Sequence, residues 1–408
     1  MPDNEKSIEC GSGKLKEIAC SAPVVKLLNE VLSRAVKEKA SDVHFEPFEK
    51  DYRIRYRIDG TCYDADHPPK DMIPAINAGI KAMANLDIAE NVLPQNGSVI
   101  IDIGGKVVEI KVSTIPTICG ESIAVRILDK SAASLFLDQI GMNNAVESKV
   151  KEIIKKPSGL FLVAGPVGSG KATTLYSCLR ELNKIDRKIM TAEDPVEHDI
   201  EGVIQTAVNT RVGLTFAGIL KHILMQDPDI IMIGEIRDAE TADMAVQSAL
   251  SGRFVFGALH ANDSLGAVVR LVNLGIEPFL IASTLKAVLS QRLIRKICVK
   301  CKKEYEPPEH EILEFGTQKD KMKDIKFYKG VGCPACNGSG YKGRTGLYEL
   351  FVTNDAIKDL ITTHENLSAI QSKERDMGVE SLRKDGFKKI IDGITTIEEV
   401  LRETKELL

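Results

Sequence analysis

Apolar positions between Val24 and Ala40 recur at helical spacing (Val24, Leu27, Leu28, Val31, Leu32, Ala35, Val36), which predicts an amphipathic helix. The period then changes. SDVHFEP and DYRIRYRIDG read as strands, a second helix is predicted near Ile73 to Ala84, and SVIIDIGGKVVEIKVSTIPT reads as a hairpin turning at Gly104-Gly105. ESIAVRILD adds a further strand. These elements predict a small N-terminal α/β domain over 23–130, with a flexible tail at 1–22 before it and a linker at 131–145 after it.

Beyond the linker the pattern becomes short apolar runs, each ending in a polar residue or a turn: LFLVAGP from Leu160 to Pro166, then KIMTAEDP, DIIMIGE and RFVFGALH. A helix is predicted over 171–183. This is the rhythm of βαβ units and a parallel sheet. In such sheets the ligand sits beyond the C-terminal strand ends. Glu193, Glu235 and His260 all fall at such ends. The tail after Phe351 is predicted helical, with Thr353, Asn354 and Asp355 as candidate caps.

Composition adds bounds. The chain has 408 residues, 43% hydrophobic and 27% charged, with a formal net charge of −4. That suits a soluble protein of two or three domains and gives no electrostatic reason to expect nucleic acid as a partner. No apolar run reaches the ~18 residues of a membrane span, and the polar N-terminus carries no signal-peptide stretch. A cytoplasmic protein is the simplest expectation, with any membrane association made through partners.

Candidate chemistry begins at GPVGSGKA. Gly165, Gly170 and Lys171 meet the phosphate-loop pattern G-x-x-x-x-G-K-[ST], and Ala172 departs from it. Glycines let backbone N–H groups face phosphate oxygens, and the helix start adds its positive dipole end. The residues expected to bind the nucleotide are therefore Gly165, Pro166, Val167, Gly168, Ser169, Gly170, Lys171, Ala172 and Thr173. The implied ligand is ATP with Mg²⁺. The residue after the lysine normally gives that ion a hydroxyl, which Ala172 lacks, and Thr173 is turned ~100° away by one helical step. An earlier GSGK, Gly11 to Lys14, lacks the upstream glycine and a preceding strand, and reads as chance.

At the strand ends, Glu235 is a candidate for polarising water or for the Mg²⁺ shell, against a solvated rim residue. Glu193 and Asp194 are candidates for holding the attacking or a metal-bound water, against a rim salt bridge. His260 is a candidate for γ-phosphate sensing or a relay, against a satisfied core histidine. Arg53, Arg55 and Arg57 share one face of a strand and are either solvated or in contact with phosphate across a boundary.

Five of the nine cysteines are scattered (Cys10, Cys20, Cys62, Cys119, Cys178), and four form Cys298-x-x-Cys301 and Cys333-x-x-Cys336. Two such knuckles supply the four thiolates of a closed tetrahedral Zn²⁺ site, which is structural because no coordination position stays open.

GPVGSGKATTLY, AEDPVE, QDPDIIMIGEIRDAETA, ALHANDSLGAVVRL, QRLIRKIC-x-x-C, YKGRTGLYEL and SDVHFEP…RIRYRIDG together resemble the secretion ATPases of bacterial type II secretion and type IV pilus assembly. The resemblance runs from about residue 23 to the C-terminus. It implies a homo-hexameric ring of two-lobed subunits, with a RecA-like P-loop lobe at 146–290, a tetracysteine zinc-binding insertion at 291–350 and a helical region at 351–408. It implies ATP-driven motion of an inner-membrane platform protein that loads pilin or pseudopilin. It places Glu193 to Glu197 in an aspartate box, Glu235 as the Walker B glutamate, His260 in the histidine box, and Arg126 at a matched nucleotide-binding position. The four cysteines favour the assembly or secretion branch over the retraction motors.

Departures from the family pattern accompany the matches. Besides Ala172, the usual arginines are replaced by Lys111, Lys221, Met225 and Ser98, the histidine box opens Gly252-Arg253, and the resemblance leads one to expect a chain without the long N-terminal extension of many members. Each substituted arginine or hydroxyl weakens an expected phosphate or magnesium contact, and lysine keeps charge without the bidentate fork. Two readings follow: a working motor, or a nucleotide-binding, hydrolysis-deficient regulatory or structural paralogue within such a motor. A DNA-translocating ring is a remote third, opposed by the acidic balance.

Overall fold

The computed structural model describes residues 22–103, 105–128, 135–314, 325–362 and 380–404. The expected tail before Ala22, the GSGK within it, the last two residues of the expected N-terminal domain and residues 131–134 of the expected linker lie outside these. The chain divides into two units, Met1–Ser131 and Ala132–Leu408.

The first unit contains α1 (Ala22–Lys37), β1 (Asp42–Pro47), β2 (Tyr52–Ile58), β3 (Thr61–Asp66), α2 (Ile73–Met83), β4 (Gln95–Ile103), β5 (Lys106–Thr117) and β6 (Gly120–Leu128). The strands form one antiparallel sheet in the order β3-β2-β1-β6-β5-β4. Strand alternation does the sorting: Tyr52, Ile54 and Tyr56 are buried, while Arg53, Arg55 and Arg57 take the opposite, half-buried face. The buried stripe of α1, including Val24, Leu28 and Val31, packs into the core made by Val43, Phe45, Ile54, Ile110 and Val125. β3 has no apolar alternation to announce it and sits at a half-exposed sheet edge.

The second unit runs α3 (Asn144–Ile153), β7 (Gly159–Ala164), α4 (Lys171–Leu182), β8 (Ile189–Glu193), β9 (Val203–Ala207), α5 (Phe216–Leu224), β10 (Ile230–Ile233), α6 (Ala239–Leu250), β11 (Phe254–Leu259), α7 (Ser264–Asn273), α8 (Pro278–Thr284) and β12 (Leu285–Ile297). It continues with β13 (Lys302–Tyr305), α9 (Glu309–Glu314), β14 (Phe327–Gly330), β15 (Tyr341–Val352), α10 (Asp355–Thr362), α11 (Leu382–Ile391) and α12 (Ile397–Thr404). Seven strands make one sheet, β15-β12-β7-β11-β10-β8-β9, parallel except for β15. β7, β8, β10 and β11 are buried along their whole length, as strands covered on both faces must be. Asn354 caps α10 by accepting from the Ile357 N–H at 2.9 Å.

Two features depart from the sequence reading. The segment expected to end the linker buries Leu137, Ile140 and Met142 in the core of the second unit. The boundaries drawn at 290/291 and 350/351 fall inside β12 and β15, which pair from Ala287↔Val352 to Ile297↔Tyr341. Ser290, Gln291 and Arg292 are buried polar residues, so the apolar signal of β12 breaks where the strand itself continues. Among the described residues no helix is long and apolar enough to cross a membrane.

Candidate functional site

Parallel register aligns the ends of four strands: Ala164 lies opposite Leu259, and Ile233 lies opposite both Gly257 and Ala192. The backbone then ties their extensions. Gly234 N–H donates to the Ala192 carbonyl at 2.8 Å and Ile236 N–H to that of Ala258 at 2.9 Å, which fixes Glu235 between β8 and β11.

The phosphate loop leaves β7 at Gly165 and enters α4 at Lys171. Gly165 has no room for a side chain, since a Cβ there would stand 2.4 Å from Ser169 Oγ and 2.7 Å from the Gln291 carbonyl. Gly170, at the start of α4, has φ +88°, which suits glycine. Lys171 Nζ donates to the carbonyls of Gly165 (2.9 Å) and Pro166 (2.8 Å) and lies 3.4 Å from His260 Nδ1. Burial pushes this ammonium down to about 8, with Glu235 opposing the shift and Arg292 adding to it.

His260 Nε2 is 2.5 Å from Glu235 Oε1. The Glu235 carboxylate faces Nε2, and Nδ1 lies between Lys171 Nζ and the Gly165 carbonyl, 3.3 Å away. The other Glu235 oxygen accepts from Arg237 Nη2 at 2.6 Å, and Arg237 Nη1 also reaches Asp194 at 3.5 Å. Burial alone would raise the Glu235 carboxyl, but Arg237, His260 and Lys171 outweigh it and hold it below its ordinary value.

Glu193 takes a different place from the one its strand-end position suggested. It is 3% exposed, and its oxygens accept from the Tyr176 hydroxyl, from Thr191 Oγ1 at 2.6 Å and from Gln205 Nε2 at 2.9 Å. The carboxylate turns inward, onto the helix that follows the phosphate loop. Burial and this partner push the Tyr176 hydroxyl far up.

Arg126 lies in the first unit, where its Nε donates to Asp42 at 2.9 Å. There the register joins positions that the sequence scattered: Ser98↔Lys111, Lys111↔Arg126, Arg126↔Asp42 and Asp42↔Arg57 form one row across the sheet. Two of the departures from the family's arginines thus stand in line with the arginine that is kept. Arg53 and Arg55 pair with Glu46 at 3.2 and 2.7 Å. Arg57 donates to the Gly60 carbonyl at 2.9 Å.

The residues offer a triphosphate a loop of glycines, a helix start, the Lys171 cation and a buried Ser169 hydroxyl with no partner among the described residues. They fit Mg²⁺ less completely. Glu235 supplies a carboxylate, but Ala172 supplies no oxygen. Sequence reasoning missed Arg237, two residues past Glu235, and Gln291, whose Nε2 donates to the Ser169 carbonyl at 2.6 Å and whose Oε1 accepts from Thr174 at 2.7 Å. The GEIR spacing could have signalled the first.

The four cysteines converge. Their sulfurs lie within 4.8 Å of one another, with Cys298–Cys333 at 3.9 Å, Cys301–Cys336 at 3.8 Å and Cys333–Cys336 at 3.7 Å. Four sulfurs ~2.3 Å from a tetrahedral ion are ~3.8 Å apart, so the spacing fits Zn²⁺. Cys301 and Cys336 titrate together: burial raises the Cys336 thiol, but the N–H groups of Cys333 and Gly340 overcome that and bring it to about 7, while burial pushes its neighbour Cys301 up to about 12.

The chain belongs to the type II/IV secretion system protein family, whose model matches residues 17–402. It is 45% identical to the type II secretion system ATPase E of Vibrio cholerae, over 100% of this chain and 78% of that protein. It is also 45% identical to the type IV pilus assembly ATPase PilB of Myxococcus xanthus, over 96% of this chain and 69% of that protein. The fold matches the ATPase DotB of Legionella pneumophila with TM-score 0.69 at 19% identity, covering 93% of this chain and 96% of that one. It matches the pilus retraction motor PilT, solved with bound ADP, with TM-score 0.62 at 23% identity, covering 92% and 96%. The chain is an ATPase of the secretion and pilus-assembly class.

Proposed function

We propose that this chain is the motor subunit of a cytoplasmic homo-hexamer that hydrolyses ATP to drive an inner-membrane platform protein, loading type IV pilin or type II pseudopilin. The observation that carries the reading is the junction of Lys171 at the start of α4 with His260 and Glu235 just past the ends of β11 and β10, linked at 3.4 and 2.5 Å. Lys171 binds the β- and γ-phosphates. Glu235 orients and polarises the attacking water. His260, bonded to both, reports whether the γ-phosphate is in place. Arg237 holds Glu235 until water takes its place. Glu193 acts through Tyr176 as a positioning residue. Arg126 is assigned to the nucleotide by family resemblance. Bound Mg²⁺ would neutralise charge on the phosphate oxygens. Zn²⁺ held by Cys298, Cys301, Cys333 and Cys336 is structural.

A hydrolysis-deficient paralogue within such a motor is the second reading, favoured by Ala172 and by the closed Glu235–Arg237 pair. Steady-state phosphate release, with Lys171→Ala as background, separates the two. The motor reading expects clear excess over that background, and a further rise in Ala172→Ser. Tight Mg²⁺-ATP binding with no excess release would transfer the chain to the second reading.

A further inference from the structure

β12 runs past the end of β7, so that Ser290 lies opposite Ala164 and the next two residues stand beside the loops that leave the sheet. Gln291 is almost fully buried and spans the phosphate loop, donating to the Ser169 carbonyl and accepting from Thr174 on α4. Arg292, 4% exposed, turns to the other loop. Its Nη2 donates to the Asn262 carbonyl at 2.8 Å, two residues after His260. Glu349 lies opposite Ser290 on β15 and completes the hold on that loop. Its Oε1 accepts from the Ser264 N–H at 3.0 Å and from the Ser264 hydroxyl at 2.5 Å, at the first residue of α7.

We propose that Gln291, Arg292 and Glu349 form a clamp that fixes the phosphate loop and the His260 loop at the separation their shared chemistry needs. The proposal rests on the nucleotide reading of this corner and adds three positioning residues to it. Alternation along the strand explains the division of labour. Neighbouring side chains on β12 leave opposite faces, so Gln291 serves one loop and Arg292 the other. All three are buried polar or charged residues on β12 and β15. Such groups are retained where each hydrogen bond is made, because leaving one unmade is costly.

The test uses the full chain with three variants: Gln291→Met, Glu349→Leu and Glu349→Gln. Zinc content and thermal melting check the fold. Hydrogen exchange is followed over 165–174 and over 260–266, beside affinity for a fluorescent ATP analogue and the rate of hydrolysis. Gln291→Met is expected to speed exchange over 165–174 and to weaken nucleotide affinity about tenfold, leaving 260–266 unchanged. Glu349→Leu is expected to do the reverse, speeding exchange over 260–266 and lowering turnover while affinity holds. Glu349→Gln restores both, since its amide oxygen still accepts from Ser264. Equal acceleration of both segments, or of neither, overturns the clamp. Failure of the unaltered chain to bind the analogue would instead overturn the nucleotide reading, and the exchange pattern would still decide the clamp.

Discussion

The tetracysteine cluster and the phosphate corner lie along the same strand, since β12 passes Gln291 and ends one residue before Cys298. They differ in how completely their own residues close them. At the cluster four identical ligands converge within 4.8 Å of one another, three of the pairs at 3.7–3.9 Å, and no partner from elsewhere is needed. At the corner the charged groups satisfy one another in series, Lys171 to His260 to Glu235 to Arg237 to Asp194. The first arrangement suits an ion that stays. The second suits a ligand that enters, displaces internal partners and leaves.

The largest expected effect sharpens that contrast at the cluster. Cys333→Ser removes one of four thiolates, and binding free energy on the order of 10 kcal/mol depends on the complete set. Metal analysis should fall from one zinc per chain to none, with lost exchange protection in β13 and β14. Retention of zinc by this variant would mean that the four sulfurs are not one site. At the corner, Glu235→Gln should lower hydrolysis ~100- to 1000-fold while ATP affinity holds, because only the ionised oxygen polarises water. A loss of affinity instead would make Glu235 a structural brace for Lys171.

The cluster was legible from sequence because like ligands at knuckle spacing name their own chemistry. The phosphate loop was legible because one contiguous stretch carries it, and Glu235 and His260 because buried parallel strands write themselves as apolar runs. What stayed hidden depends on distant pairing. Gln291 meets Ser169 across 122 residues. Ser98, Lys111 and Arg126 were separate departures or matches until sheet register set them in one row. Glu193 was misplaced for a related reason. A strand end marks where the backbone emerges, but Tyr176, Thr191 and Gln205 decide which way the side chain turns.

That correction has its own test. Tyr176→Phe removes one donor from a buried carboxylate and should cost about 1–3 kcal/mol of stability. Glu193→Gln should resemble it in melting temperature and in a moderate loss of turnover, and the double variant should fall short of the sum. If Glu193→Gln abolished hydrolysis while Tyr176→Phe left it intact, the carboxylate would touch the reaction directly, and the inward network would be incidental.

The smallest effect is a pH dependence that belongs to the corner alone. Lys171 sits at about 8 because burial lowers it, with Arg292 adding to the shift and Glu235 opposing it. His260 and Arg237 complete the charged or titratable set around it. A triphosphate binds the ammonium form, so affinity should be flat well below pH 8 and fall as pH rises through it, by about twofold between pH 7 and 8. Folding stability should move the other way. The unfolded lysine keeps its proton to about 10.5, so between roughly pH 8 and 10.5 the unfolded chain holds more protons at this group and its contribution to stability rises with pH. Lys171→Met should lose both trends, so that each appears in the difference between parent and variant, while Cys333→Ser should leave the pH dependence of nucleotide affinity in place. Parallel rather than opposed trends in affinity and stability would mean that the titrating group is elsewhere, and that the corner closes on itself without this lysine as its gate.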